Sequence, residues 1–244
     1  MDKIITAAMV VIGDEILSGR TKDVNVGHVA SMMTQLGIDL AEVRMVADDQ
    51  AAIVEAVNTL RSRNDYVFTT GGIGPTHDDI TADAISAAFG VPCTHHPQAM
   101  EEMAAHYAER GLDFTESRQR MARTPEGAEL IRNEVSKAPG IRMGNVYTMA
   151  GVPKIMQAML DAIAPTLKGG AKIVSRHVDT NLGEGDIGGP LGEIQQAHSD
   201  TMLGSYPRFE NGSHTTQIVV RGRDPKAVDA AYADVEAMVA RLSA

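Results

Sequence analysis

Three glycines fall within six residues in Gly71-Gly72-Ile73-Gly74-Pro75-Thr76, directly after the apolar stretch Val67-Phe68-Thr69-Thr70. A strand that ends in such a loop and leads into a helix turns backbone N–H groups toward its opening, and glycine lets a ligand approach the main chain closely. Phosphate is the natural occupant. Thr69, Thr70 and Thr76 add hydroxyl donors, and a helix expected from near Ile80 adds the positive end of its dipole. A tight strand-to-helix turn that uses glycine for positive φ accounts for the same residues, so the loop alone leaves both readings open.

Asp78 and Asp79 shift that balance. They stand where a helix N-cap is wanted, and one of them is expected to cap. Two adjacent carboxylates beside a phosphate loop would nevertheless repel a bare anion. A bridging divalent cation removes the conflict. Mg²⁺, Mn²⁺ or Co²⁺ held by Asp78 and Asp79 together with substrate phosphates and water fits these residue types. Asp83, one turn onward, suits the helix dipole.

Two further loops reach the same sheet edge if the first three strands run parallel. One is Gly13-Asp14-Glu15-Ile16-Leu17-Ser18-Gly19 with Asp23 and Asn25, and the other is Ala47-Asp48-Asp49. Each residue has a simple role of its own: Asp23 or Asn25 as the cap of one helix, Asp48 as the cap of the next, Glu15 as a solvated charge. Their convergence on the glycine loop is what points to a site. The candidate ligand-binding set is Gly13, Asp14, Glu15, Asp23, Asn25, Thr70, Gly71, Gly72, Gly74 and Thr76, with Asp48 and Asp79 as candidate catalytic carboxylates.

Other chemistries find less support. His95-His96 precede Pro97, and His77, His106, His177, His198 and His214 are scattered without metal or triad spacing. The single Cys93, in Val91-Pro92-Cys93-Thr94, excludes an intramolecular disulfide framework and reads as a small half-buried hydrophobe. The 14 Met residues fit an aliphatic core and an oligomer interface better than a cofactor box.

The elements that must position these residues alternate. Ile4–Ile12 is a near-continuous apolar run, as in a strand buried on both faces of a parallel sheet. A helix over Asn25–Leu36 is stopped by Gly37, and a strand follows at Ile38–Val46. A helix opens at Asp48-Asp49, a third strand runs Asp65–Thr70, and Ile80–Phe89 is a helix stopped by Gly90. A short strand is expected at Val91–Thr94, two helices at Gln98–Arg110 and Phe114–Arg123, and a last strand at Asn145–Ala150. Pro153 then opens a helix over Lys154–Leu167. Beyond Lys168-Gly169-Gly170 the pattern reads βαββα: strands at Lys172–Val178, Met202–Tyr206 and Thr215–Val220, helices at Leu191–His198 and Pro225–Leu242. The expected architecture is a three-layer α/β domain with a mostly parallel, doubly wound sheet over residues 1–168, and a small α+β accessory domain over 171–244.

Composition bounds the partners. The 244 residues are 43% hydrophobic, enough for a real core, with no Trp, four Phe and five Tyr, so base-stacking platforms are scarce. Against 22 Lys and Arg stand 32 Asp and Glu, a net charge of −10 that repels a nucleic-acid backbone. The apolar start is too short for a membrane span and lacks a signal-peptide pattern, so no membrane association and a cytoplasmic location are expected.

The set Gly13–Gly19, Asp23-Val24-Asn25 and Thr70–Ala84 resembles the MoaB/Mog-like molybdopterin-binding domain family. Within it the chain is similar to the branch that holds the N-terminal part of the competence/damage-inducible protein CinA and the molybdopterin-binding-like domain of eukaryotic FAD synthases. Gly151-Val152-Pro153 and Gly204-Ser205-Tyr206-Pro207 extend the likeness over nearly the whole chain. The resemblance implies a site for a phosphorylated pterin or a nucleotide diphosphate. In this branch it implies a divalent-metal-dependent pyrophosphatase, a hydrolase acting on ADP-ribose or FAD. Asp79 matches the aspartate of the family's Asp-x-Thr segment, and Asp48 the acidic residue after its second strand. Homo-oligomers, trimers or dimers, are expected by the same likeness.

The chain departs from the CinA pattern at Ala150 and Ile155, and at Gly183-Glu184-Gly185-Asp186 in place of Gly-x-Glu-Ser. These departures favour the alternative of a molybdopterin-binding protein of molybdenum cofactor biosynthesis, acting by delivery or by MgATP-dependent adenylylation. Neither the amidase domain of full-length CinA nor a nucleotidyltransferase domain follows Ala244, so nicotinamide-nucleotide deamidation and FAD formation are not expected.

Overall fold

The structure, a computed structural model, describes residues 3–210 and 213–244; Met1 and Asp2, at the head of the apolar N-terminal segment, lie outside them. The chain divides into two compact units, Met1–Gly170 and Ala171–Ala244.

The first unit is built on β1 (Ile5–Ile12), whose side chains are buried on both faces. A short helix α1 (Asp14–Leu17) follows Gly13, and α2 (Asn25–Leu36) returns the chain to β2 (Ile38–Val46). Gly37 ends α2 at φ +72°, the left-handed conformation that favours glycine. α3 (Gln50–Arg61) leads to β3 (Tyr66–Thr70), and α4 (Thr81–Phe89) leaves the glycine loop and ends on Gly90.

An excursion then runs through β4 (Cys93–His95), α5 (Pro97–Glu109), α6 (Glu116–Arg120), β5 (Arg123–Pro125), β6 (Glu129–Ile131) and β7 (Gly140–Met143). The chain re-enters the sheet at β8 (Val146–Met149), and α7 (Pro153–Ile163) starts on Pro153.

The sheet has the order β2-β1-β3-β8-β7-β6. β1 pairs parallel with β2 and β3, β3 pairs parallel with β8, and β7 and β6 close the edge antiparallel. Because side chains alternate across a strand, Ala7, Met9 and Val11 pack with α2 and α7, while Ala8, Val10 and Ile12 pack with α3 and α4. That is the three-layer arrangement expected. Six methionines (Met9, Met33, Met103, Met149, Met156, Met159) are among the most deeply buried side chains, consistent with their reading as core.

The parallel core follows the hydrophobic pattern closely; the excursion does not. The strand expected at Val91–Thr94 lies at Cys93–His95 and pairs antiparallel with β5 in a separate two-stranded sheet. β5, β6 and β7 have three or four residues each, too short for a period of two to register. The helix expected at Phe114–Arg123 shrinks to Glu116–Arg120.

The second unit comprises β9 (Val174–Thr180), α8 (Glu184–Ala197), β10 (Thr201–Glu210), β11 (Ser213–Gly222) and α9 (Pro225–Leu242), the βαββα order expected. Its antiparallel sheet has the order β10-β11-β9. Ile187 and Leu191 of α8 meet Ile218 and Val220 of β11 and Val228, Ala231, Val235 and Met238 of α9 in a core of its own. α8 begins seven residues earlier than Leu191: Gly185, Gly188, Gly189 and Pro190 depress helix propensity there, and burial of Ile187 and Leu191, one turn apart, outweighs it. No helix among the described residues is long and apolar enough to cross a membrane.

Candidate functional site

The glycine loop leaves β3 at the carboxyl edge of the parallel strands, where open α/β sheets bind their ligands. Gly71 has φ +105°, and a Cβ there would sit 2.1 Å from the Ile12 carbonyl oxygen; Gly72 has φ +65°, and its Cβ would meet the Thr81 hydroxyl at 2.2 Å. Both must therefore be glycine for conformation and for space. Thr81, fully buried, clasps the loop: its hydroxyl donates to Gly71 O and its N–H to Gly72 O, each at 2.9 Å. Sequence reasoning missed this role, although Thr81 is the threonine of the Asp-x-Thr segment.

Asp79 does not cap α4. The N-cap is Ile80, without a side-chain bond, and Asp79 Oδ2 instead accepts from the Thr76 N–H (2.8 Å) and the Thr76 hydroxyl. Its carboxylate lies over Gly74, where a Cβ would come within 2.6 Å of Oδ2. The excursion supplies what the sequence reading lacked, a positive charge at the loop. Arg120 and Arg123 line the same cleft as Gly72, Gly74 and Asp79. Arg120 Nη2 donates to the Asp79 carbonyl at 3.2 Å, and Arg123 pairs with both carboxylate oxygens of Asp83, one at 3.0 Å. Arg120 Nε is buried without a partner. The available signal was three arginines within residues 118–123.

Asp48 lies across the loop cluster. Its Oδ2 accepts from the Asp14 N–H at 3.0 Å, which ties the β2–α3 connection to the start of α1. The cap of α3 is Asp49, which accepts from Ala52 N at 2.8 Å, so Asp48 is spared for other work. Burial pushes the Asp48 carboxyl above the ordinary range; the bond from Asp14 opposes this, and the charges of Asp14, Glu15 and Asp78 add to the rise. Asp78 goes the other way. The Thr76 hydroxyl holds its pKa down, and the charges of His77 and Arg120 help.

Asp14, Glu15 and Asp78 thus lie within electrostatic range of Asp48, while Asp78 and Asp79 both meet Thr76 and Arg120. Among the described residues no three His, Cys, Asp or Glu are arranged as a closed metal cage. A Mg²⁺-type site needs only one or two carboxylates, the rest being substrate oxygens and water.

A further part of the predicted set gathers at the start of α2. Asp23 accepts from Val26 N at 2.9 Å at the start of α2, and Asn25 Nδ2 donates to Gly151 O at 2.8 Å. Glu15, Asp23, Asn25 and Thr70 line one pocket with Gly151. Thr69, expected to offer its hydroxyl to a ligand, gives it to Thr148 Oγ1 at 2.9 Å in the sheet interior. Gly13 N donates to Val46 O at 3.1 Å, which holds the first loop against the second strand. Cys93 is half-buried, its thiol pushed up by burial, as its apolar reading requires.

Residues 8–169 match the family described as "Probable molybdopterin binding domain", and residues 172–243 match "FAD synthase, middle domain". The chain belongs to the first of these families. It is 39% identical over 167 residues to a protein of Aeropyrum pernix, an alignment spanning 66% of this chain and 62% of that one. It is 27% identical over 250 residues to a probable FAD synthase of Caenorhabditis briggsae, spanning 92% of this chain and 48% of the relative. The chain therefore spans only part of the length of both relatives. Among solved structures, the protein CinA with unknown function from Thermoplasma acidophilum is 31% identical, with a TM-score of 0.62 over 67% of this chain and 98% of that one.

Proposed function

We propose that this protein is a divalent-metal-dependent pyrophosphatase that cleaves the phosphoanhydride of a nucleotide diphosphate such as ADP-ribose or FAD. The observation that carries the proposal is Asp48. It is a carboxylate spared from capping, made more basic by burial and by three acidic neighbours, one of which, Asp78, follows a glycine loop that shares a cleft with two arginines. The loop's N–H groups and Arg120 bind the diphosphate. Asp48 takes the proton of the attacking water, which adds to phosphorus as the bridging oxygen leaves with the other phosphate. Asp79 fixes Thr76 and Gly74 in place and holds the loop to that geometry. Mg²⁺, Mn²⁺ or Co²⁺, held by Asp78 and Asp79, would supply neutralisation of the charge on the phosphate oxygens. Loss of Asp79 in Asp79→Ala lowers turnover of ADP-ribose by about 10² to 10³ with the fold intact. Turnover at the wild-type rate would remove Asp79 from the site.

A second reading, binding or adenylylation of molybdopterin, is favoured by one specific feature. Asp79 Oδ2 already accepts two hydrogen bonds from Thr76, which suits a loop that grips a phosphate without hydrolysing it. Tight binding of the pterin phosphate by a protein that leaves ADP-ribose and FAD untouched would select it.

A further inference from the structure

Two buried polar side chains in the first unit lack a partner in the same pocket. Asn25 is 4% exposed and Thr70 1% exposed, yet Asn25 Oδ1 and Thr70 Oγ1 each have no hydrogen-bond partner. Buried polar atoms are seldom left so, because each costs about 1–3 kcal/mol. Both residues line a pocket of about 70 Å³ together with Glu15, Asp23, Gly151 and Pro153. The pocket is built rather than incidental: Asn25 Nδ2 is fixed by Gly151 O at 2.8 Å, which leaves Oδ1 as the free pole of the amide.

Its chemistry is set by what the lining can accept. Asn25 Oδ1 and the Glu15 carboxylate are acceptors only, Asp23 carries a second carboxylate, and the Thr70 hydroxyl donates or accepts. The unpartnered Asn25 Oδ1 and Thr70 Oγ1, together with the two carboxylates, accept from N–H or O–H donors, and Lys22 also lines the pocket. We infer that this pocket is a recognition subsite for a neutral donor edge of the substrate, a ribose cis-diol or the amino edge of a heterocycle. The diphosphate then lies on the glycine loop and Arg120. The inference rests on the proposed phosphate site, and within the candidate ligand-binding set it gives Glu15, Asp23, Asn25 and Thr70 the recognition of the group that the phosphate carries.

Equilibrium binding tests it without turnover. ADP-ribose, 6-methylpterin and inorganic pyrophosphate are titrated calorimetrically into the wild-type chain, Thr70→Val and Asn25→Ala, with melting temperatures measured alongside. Thr70→Val is isosteric and removes an unpaired buried hydroxyl, so its melting temperature rises or holds. Its affinity for ADP-ribose falls about tenfold if the diol is the occupant, or that for 6-methylpterin by the same factor if the amino edge is. Pyrophosphate, which has no such edge, binds all three proteins alike. Unchanged affinity for both donor ligands in both variants, with a lower melting temperature for Thr70→Val, overturns the inference and assigns the hydroxyl to internal water. That outcome leaves phosphate hydrolysis standing, whereas failure of the wild type to bind any probe removes both readings.

Discussion

At the scale of single residues the site sets stability against function, and Asp48 shows it best. Its pKa in the folded chain lies above the unfolded value, so the charged carboxylate costs stability at neutral pH. That cost disappears as the pH falls through the folded pKa toward the unfolded one. Asp48→Asn keeps an oxygen for the Asp14 N–H while removing the charge. The variant is expected to melt higher than the wild type at pH 7, by an amount that shrinks on acidification, and to have lost turnover. An Asp48→Asn protein that melts lower at pH 7 would show that the neighbouring carboxylates do not strain it. The residue types of the site were legible from the chain, since Asp48, Asp79 and the glycines all sit at the strand ends. Their division of labour was not. Whether Asp78, Asp79 or neither caps α4, and whether Asp48 or Asp49 caps α3, depends on turns of one or two residues that periodicity does not resolve.

Elements carry the second lesson. β2, α2 and α9 have the bounds their patterns suggest, because each buries one regular face and is bounded by a glycine or a proline. The excursion between α4 and β8 was opaque, being held by short pairings and by the Arg123–Asp83 ion pair rather than by periodicity. The two arginines at the glycine loop were missed for that reason. Two substitutions test the element-level account. Gly71→Ala places a methyl against the Ile12 carbonyl at positive φ and is expected to destabilise the first unit by about 2–4 kcal/mol in chemical denaturation. A loss within about 0.5 kcal/mol would mean that the loop relaxes freely. Asp49→Ala removes the α3 cap and should cost about 1 kcal/mol while sparing activity, in contrast to its neighbour Asp48.

For the molecule as a whole, the two units have separate cores: the three-layer core around β1 and β3, and the cluster of α8, β11 and α9. A polypeptide of residues 171–244 is therefore expected to unfold cooperatively by circular dichroism, and a gradual, sloping melt would show that its core is incomplete alone. The family match places the first unit in the molybdopterin-binding domain family, and residues 172–243 are similar to the middle domain of FAD synthase. The reaction is the claim that joins sequence, fold and site. The direct measurement is release of product from ADP-ribose, FAD and ATP by the purified protein with Mg²⁺, Mn²⁺ or Co²⁺, and again after chelation. Metal-dependent cleavage of ADP-ribose or FAD, abolished by chelator and lowered about 10²- to 10³-fold by Asp79→Ala, is the result predicted. A folded protein that cleaves none of the three with any of these ions would contradict it.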